Sequence, residues 1–351
     1  MIVNDTMKFG KKYSFFMQET CTIRDNGAII IQNGQKEATT ELLWLLIGIP
    51  VVILAVLLIA YICYRMAFYS PPRPEMSDKI ELPVGEIYEA YREKMENWAR
   101  ETRAMKKEPM EITSFDGLTL RGQFYEYAPG APIELMFHGY RGCSERDLPG
   151  GVQRCFRVGR SALLVDQRAS GRSDGKVITF GILEHRDCLS WLEYMEKRFG
   201  PEQKIILTGI SMGASTVMLA AGKPLPPNVV GVLADCGFTS AKEIIQIVIK
   251  EMKLPPKLVY PFVKLGARLF GGFDLEEDSS VEAMKRCTVP VIFFHGESDD
   301  FVPCQMSREN FAACAAKKQL VTIPGAGHGL AYAVGPKEYI EALREFFDPL
   351  L

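Results

Sequence analysis

The period of apolar and polar residues changes along this chain, and each change marks an element. Leu42 to Tyr64, LLWLLIGIPVVILAVLLIAYICY, carries no charge and as a helix is long enough to cross a hydrocarbon core of roughly 30 Å. Trp44 near one end and Tyr61 and Tyr64 near the other stand where interfacial aromatics stand, so the run reads as a membrane anchor rather than a buried core helix. Pro50 is assigned to its first turns, where a membrane helix tolerates proline. A cleaved signal peptide fits poorly, because the apolar core is too long and no small-x-small site follows.

Beyond the anchor, YSPPRPEMSDKIELP combines prolines with charges and reads as a stiff linker, and Gly85 to Lys107 is charged and helix-compatible. EITSFDGLTLRGQFYEY then predicts two strands around an Asp116-Gly117 hairpin turn. IELMFHG, ALLVDQR, KIILTGI, NVVGVLAD, VPVIFFHG and QLVTIPG are short apolar runs of the kind found in strands buried on both faces. Helical spacing lies between them, over Ile182–Phe199, Met212–Ala221, Glu309–Lys317 and Pro336–Phe347. Trp191, Leu192 and Met195 share one side of the first of these, and His185 reads as solvent-facing. The alternation predicts an α/β fold, a mostly parallel sheet covered by helices on both faces, with its site beyond the carboxyl ends of the strands. The parts are a flanking segment 1–41, the membrane helix 42–64, a juxtamembrane linker and helix 65–107, and an α/β domain 108–351 with a helical cap insert at about 240–286.

Composition narrows the partners. The 351 residues carry 41 Lys and Arg against 43 Asp and Glu, a net charge of −2, with no basic module, which argues against nucleic-acid binding. Nine cysteines without a C-x-x-C pair read as free, buried thiols and favour a reducing compartment. Arg65, Arg73 and Lys79 follow the anchor while only Lys36 precedes it closely, so the C-terminal bulk is expected in the cytoplasm of a single-pass cell-membrane protein. Lys8, Lys11 and Lys12 pull the other way if the chain starts internally, for example at Met7. The four histidines show no metal-ligand spacing, so no metal is expected.

The chemistry concentrates around Gly209-Ile210-Ser211-Met212-Gly213, a G-x-S-x-G between a predicted strand and a predicted helix. That context makes a nucleophile elbow: a strained turn lifts the Ser211 hydroxyl above the sheet, and side chains at the glycines would collide with neighbouring elements. A serine needs a base, and the base an orienting carboxylate, in the chain order serine, acid, histidine. Of the histidines after Ser211, His295 ends an apolar strand and reads as structural, whereas His328 lies in the glycine-rich PGAGHGL loop and is the expected base. HGESDDFVP offers the acid, with Asp299 preferred over Asp300 and over Asp235 at the end of GVLAD. The amides of Met212 and of Tyr140, in HGYRG, are the expected oxyanion donors.

FHGYRG, VDQRASGRSDG, GISMGA, HGESDDFVP and GAGHG, in this order over about Glu111 to Leu351, resemble the α/β-hydrolase superfamily, in particular bacterial membrane-anchored hydrolases of esterase or acyl-hydrolase type. The resemblance implies a cofactor-free serine hydrolase that cleaves carboxylic ester or thioester bonds through an acyl-enzyme, acting on a small-molecule or lipid-like acyl substrate. A serine peptidase of the same fold and a non-catalytic binding protein are the alternatives; the first lacks a recognisable terminus-binding element, and the second would normally have lost the serine or histidine. Ile244, Ile245, Ile247, Val248 and Met252 of the cap either line an acyl pocket or pack on the domain.

Overall fold

The computed structural model describes residues 22–23, 29–30, 34–71 and 80–351. The possible internal start and most of the proline-rich linker lie outside the described residues. Thr22–Ile23 and Ile29–Ile30 pair antiparallel. The chain divides into two units, residues 1–59 and 60–351. Helix α1 (Gly34–Ala67) contains the apolar stretch Leu43–Ala67, which is long and apolar enough to cross a membrane. Because α1 begins before the apolar run, Pro50 sits inside the helix rather than in its first turns. Residues Ala60–Ala67 of α1 belong to the second unit.

In that unit, strands β1 (Glu108–Thr113) and β2 (Thr119–Tyr125) form the hairpin around Asp116-Gly117. The strands β3 (Ile133–Phe137), β4 (Ser161–Val165), β5 (Ile205–Ile210), β6 (Val229–Asp235), β7 (Val291–Gly296) and β8 (Lys318–Ile323) run parallel. The sheet of eight follows the order β8-β7-β6-β5-β3-β4-β2-β1, with β2 antiparallel to both of its neighbours. Its helices are α2 (Arg92–Ala104), α3 (Pro149–Arg157), α4 (Glu184–Phe199), α5 (Met212–Ala221), α6 (Ala241–Glu251), α7 (Pro256–Gly266), α8 (Ser280–Arg286), α9 (Cys304–Ala313) and α10 (Pro336–Phe347).

Both faces of the strands are apolar because both are covered. Leu135, Val165 and Leu207 meet Trp191 of α4 and Val217 of α5 on one side, while Ile206, Leu233 and Phe294 meet Tyr339, Leu343 and Phe347 of α10 on the other. The insert folds into α6, α7 and α8, and Ser240 and Ser279 cap α6 and α8 by accepting from the amides of Glu243 and Glu282, a serine-to-glutamate spacing that marks helix starts. Ile244 and Ile245 pack into the domain, whereas Met252 is exposed.

Two expectations need correction. His185 is buried, with Nδ1 against the Gly181 carbonyl at 3.1 Å, because it continues the stripe of Cys188, Leu192 and Met195 along α4. Helix α9 starts at Cys304, not Glu309: Pro303, with φ −55°, sets its entry, and Cys314 is already extended on the way to β8. Among the described cysteines no disulfide forms, and most are buried thiols.

One charge cluster lies inside the domain. Glu134 of β3 is fully buried and bonds Arg154 at 2.6 Å, Arg160 at 3.0 Å and Thr208 at 2.9 Å. Burial alone would raise its pKa, but the two guanidinium charges outweigh burial and lower it. Removing the carboxylate leaves buried Arg154 without its ion-pair partner and buried Arg160 with Asp348 alone, at 3.8 Å. Glu134→Ala is therefore expected to cost about 3–5 kcal/mol, read as a lowered midpoint in chemical denaturation.

Candidate active site

Ser211 joins β5 to α5 with φ 57° and ψ −118°, a conformation that a non-glycine residue holds only when its surroundings impose it. The surroundings are backbone. A Cβ on Gly209 would lie 2.1 Å from the Gly213 carbonyl oxygen, and one on Gly213 would lie 2.1 Å from that of Phe137. Both glycines of the pentapeptide are thus required by contact, as the elbow geometry predicts.

His328, in the loop after β8, presents Nε2 to Ser211 Oγ at 3.0 Å and Nδ1 to Asp299 Oδ2 at 2.7 Å. Asp299, in the loop after β7, also accepts from the amides of Phe301 at 3.0 Å and Val302 at 2.8 Å through Oδ1. The structure thus brings Ser211, His328 and Asp299 together. Asp235 faces elsewhere, accepting from the Tyr339 hydroxyl at 2.9 Å, and Asp300 is exposed. Because a carboxylate only accepts, Nδ1 of His328 carries the proton and Nε2 turns a lone pair to the serine.

His295 does more than fill the core. Its Nε2 faces the Val302 carbonyl at 2.8 Å, which fixes the proton there, and lies 3.2 Å from Asp299 Oδ2, while Nδ1 sits 2.7 Å from Ser307 Oγ. Burial alone would raise the pKa of Asp299; bonds from His295 and His328, with the Val302 amide behind them, hold it instead at about 2.

The loop after β3 passes beside the nucleophile: a Cβ on Gly139 would lie 3.6 Å from Ser211 Cβ. His138, buried and pushed below its ordinary pKa by that burial, pins this loop, with Nδ1 on the Gly139 carbonyl at 2.8 Å and Nε2 accepting from the Gln167 amide at 3.0 Å. Asp147 Oδ2 accepts from the Gly139 amide at 3.2 Å. Tyr140 follows, its hydroxyl donating to the Ala67 carbonyl at 2.7 Å, and Arg141 donates to the carbonyls of Met66 at 2.8 Å and Tyr69 at 3.2 Å. Among the described residues neither the Met212 nor the Tyr140 amide donates to another protein group.

No motif marks Asp147 or the turn Glu86–Glu89. That turn leans over the site: Ile87 lies next to Gly327, and Tyr88 is close enough to Asp147 and Asp299 that their charges add to burial in raising its pKa. The sulfur of Cys236 stands within 4.8 Å of Asp299 and His328 ligand atoms, but burial drives its thiol well above the ordinary pKa, away from the thiolate that binds metals.

The Asp299 shift carries a pH signature. Its folded pKa of about 2 lies below the unfolded value near 3.9, so the stabilisation is complete above about pH 4 and is lost as pH falls through 2. Asp299→Asn is expected to lose about 2 kcal/mol at neutral pH and to flatten the stability curve between pH 4 and 2, measured by urea unfolding across that range.

The comparisons agree with this fold. Residues 135–281 match the model of a family described as alpha/beta hydrolase fold. An uncharacterized protein of Bacillus subtilis is 26% identical over 192 residues, which are 54% of this chain and 63% of the relative, so the chain spans less than two thirds of that relative's length. A solved Pyrococcus furiosus esterase superimposes with a TM-score of 0.60 at 22% identity, covering 81% of this chain and 98% of its own. Est1E from Butyrivibrio proteoclasticus, solved with ferulic acid bound, gives 0.54 at 23% identity over 69% and 98%. With its parallel sheet, its elbow after β5 and the matching family model, the chain has the α/β-hydrolase fold.

Proposed function

We propose that the protein is a serine hydrolase that cleaves carboxylic ester or thioester bonds. The observation that carries this reading is the unbroken relay from Ser211 Oγ to His328 Nε2 at 3.0 Å and from His328 Nδ1 to Asp299 at 2.7 Å, mounted on a strained elbow. His328 takes the Ser211 proton as Oγ attacks the substrate carbonyl, and the Asp299 carboxylate stabilises the imidazolium that results. The amides of Met212 and Tyr140, which have no other partner among the described residues, receive the developing oxyanion. The imidazolium then protonates the leaving alcohol or thiol, and water, deprotonated by the same ring, releases the acid from the acyl-enzyme. The Pyrococcus furiosus protein that shares the fold is an esterase, which favours ester chemistry over peptide cleavage.

Leu43–Ala67 anchors this unit to the membrane, and the basic residues Arg65, Arg73 and Lys79 place it on the cytoplasmic side. Protease added outside sealed cells that express the full chain is expected to spare the C-terminal unit and to digest it after permeabilisation; digestion before permeabilisation would reverse the orientation.

Ser211→Ala and His328→Ala are expected to fold normally, to lose fluorophosphonate labelling, and to lower turnover of p-nitrophenyl esters by about 10³-fold or more. Normal turnover in Ser211→Ala would refute the mechanism, and a labelled wild type would report by its chain-length optimum how large an acyl group the site takes.

A further inference from the structure

Helix α7 is apolar on two sides, and only one of them is used by the fold. Tyr260, Val263 and Gly266 turn inward and are buried. Leu258, Phe262, Leu265 and Leu269, spaced by four, three and four residues, form a second stripe along the helix and the turn Ala267–Gly271 that follows it. The ends of that stripe face solvent, Leu258 at 65% and Leu269 at 54% exposure, and Met252, Leu254 and Phe270 extend the exposed apolar surface. Exposed lysines border it at Lys250, Lys253 and Lys257.

The position of α7 beside α1 names the occupant. A Cβ on Gly266 would lie 2.4 Å from the Ala60 carbonyl oxygen and 3.2 Å from Tyr64 Cβ, so the two helices meet backbone to backbone at a small residue, as helices do in membranes. Phe270 packs edge-on to Tyr61 at 5.2 Å between ring centroids and lies 5.9 Å from Tyr64. Roughly twenty apolar residues cross a bilayer core, so a span entered at Leu43 emerges near residues 60–64, where the exposed Tyr61 stands as an interfacial aromatic. Helix α7 therefore touches α1 at the depth of the headgroup boundary.

We propose that the outer face of α7 is a membrane-docking surface, its leucine stripe seated at the headgroup–acyl boundary of the leaflet from which α1 emerges and its lysines among anionic headgroups. A helix with an apolar stripe and a basic border, left uncovered among the described residues, has the chemistry of an interfacial helix, and it meets α1 at Ala60 and Tyr64, where the apolar run ends. The inference rests on α1 being the membrane span, and the experiment separates the two.

The full-length protein is reconstituted into phosphatidylcholine–phosphatidylglycerol vesicles whose acyl chains carry bromine, a quencher of tryptophan fluorescence. Leu258→Trp and Leu269→Trp are compared with wild type and with Tyr127→Trp, an exposed position after β2 at the end of the strands opposite the triad. Quenching of the added fluorescence at both α7 positions, at least threefold stronger than at position 127, is the expected result. Equal quenching at all three positions, or quenching at 269 alone, would overturn the docking surface while leaving the span intact, provided that the protein resists alkaline extraction from the vesicles. Release by alkaline extraction would overturn the span and the docking surface together. Unquenched tryptophans accompanied by a crosslinked dimer through α7 would assign the stripe to a second copy of the chain instead.

Discussion

The site depends on one strained residue. Ser211 has positive φ at the top of β5, and it stays there because the chain on either side has no room to relax: Gly209 lies against Gly213, and Gly213 lies against the end of β3. The Ser211 amide is tied to the Asp235 carbonyl at 2.8 Å, so the neighbouring strand also fixes the turn. Helix α5, buried along its whole length, anchors the other side. Strain at the nucleophile is thus balanced by the packing of the entire sheet centre, and a loosened core would be felt first at the serine.

The positions of the relay partners follow from sheet topology. His328 and Asp299 leave the ends of β8 and β7, two strands that lie to one side of β5 in the sheet order, while the Gly139–Tyr140 loop leaves β3 on the other side. His328 and Asp299 therefore approach the serine from one flank and the Gly139–Tyr140 loop from the opposite flank. That loop is unusual in what it holds. Tyr140 and Arg141 satisfy carbonyls at the end of α1, a place where unpaired acceptors and the helix dipole favour a cation. The last turn of the apolar helix and the proposed oxyanion loop are thereby one hydrogen-bonded piece.

Much of this was legible in the sequence because it depends on local period and on order. Short apolar runs separated by helical spacing foretold the parallel sheet, and the hairpin at Asp116-Gly117 and the closing helix Pro336–Phe347 fall where turn chemistry and periodicity put them. Ser211 and His328 followed from strand-to-helix context and chain order. The acid was harder, since Glu297, Asp299 and Asp300 share one loop and only three-dimensional direction separates them; the amides of Phe301 and Val302 turn Asp299 inward. His185 was misjudged although its i, i+3, i+7 relation to Cys188 and Leu192 was available, because a histidine in a charged stretch reads as solvated until a whole stripe is traced. Asp147 and Tyr88 were invisible for a different reason: each acts on the site through a contact between segments far apart in sequence, which no local pattern encodes.

The same distinction explains the cap. Ser240 and Ser279 announce its helix starts, but nothing local tells which of its isoleucines and leucines face inward. Packing divides them: Ile244, Ile245 and Ile249 join Tyr64 of α1, Phe68 just after it and Met212 from the elbow in one apolar cluster. The residue that follows the nucleophile therefore shares its packing with the last turns of the apolar helix. Were α1 only a tether, its end would need no buried aromatic residues; Phe68, fully buried and edge-on to both Phe180 and Phe273, is core in the same sense as any residue of the sheet. The boundary between the two units thus lies inside a single helix, and the cluster that folds the cap is also the one that fixes the helix end on which the loop beside Ser211 rests.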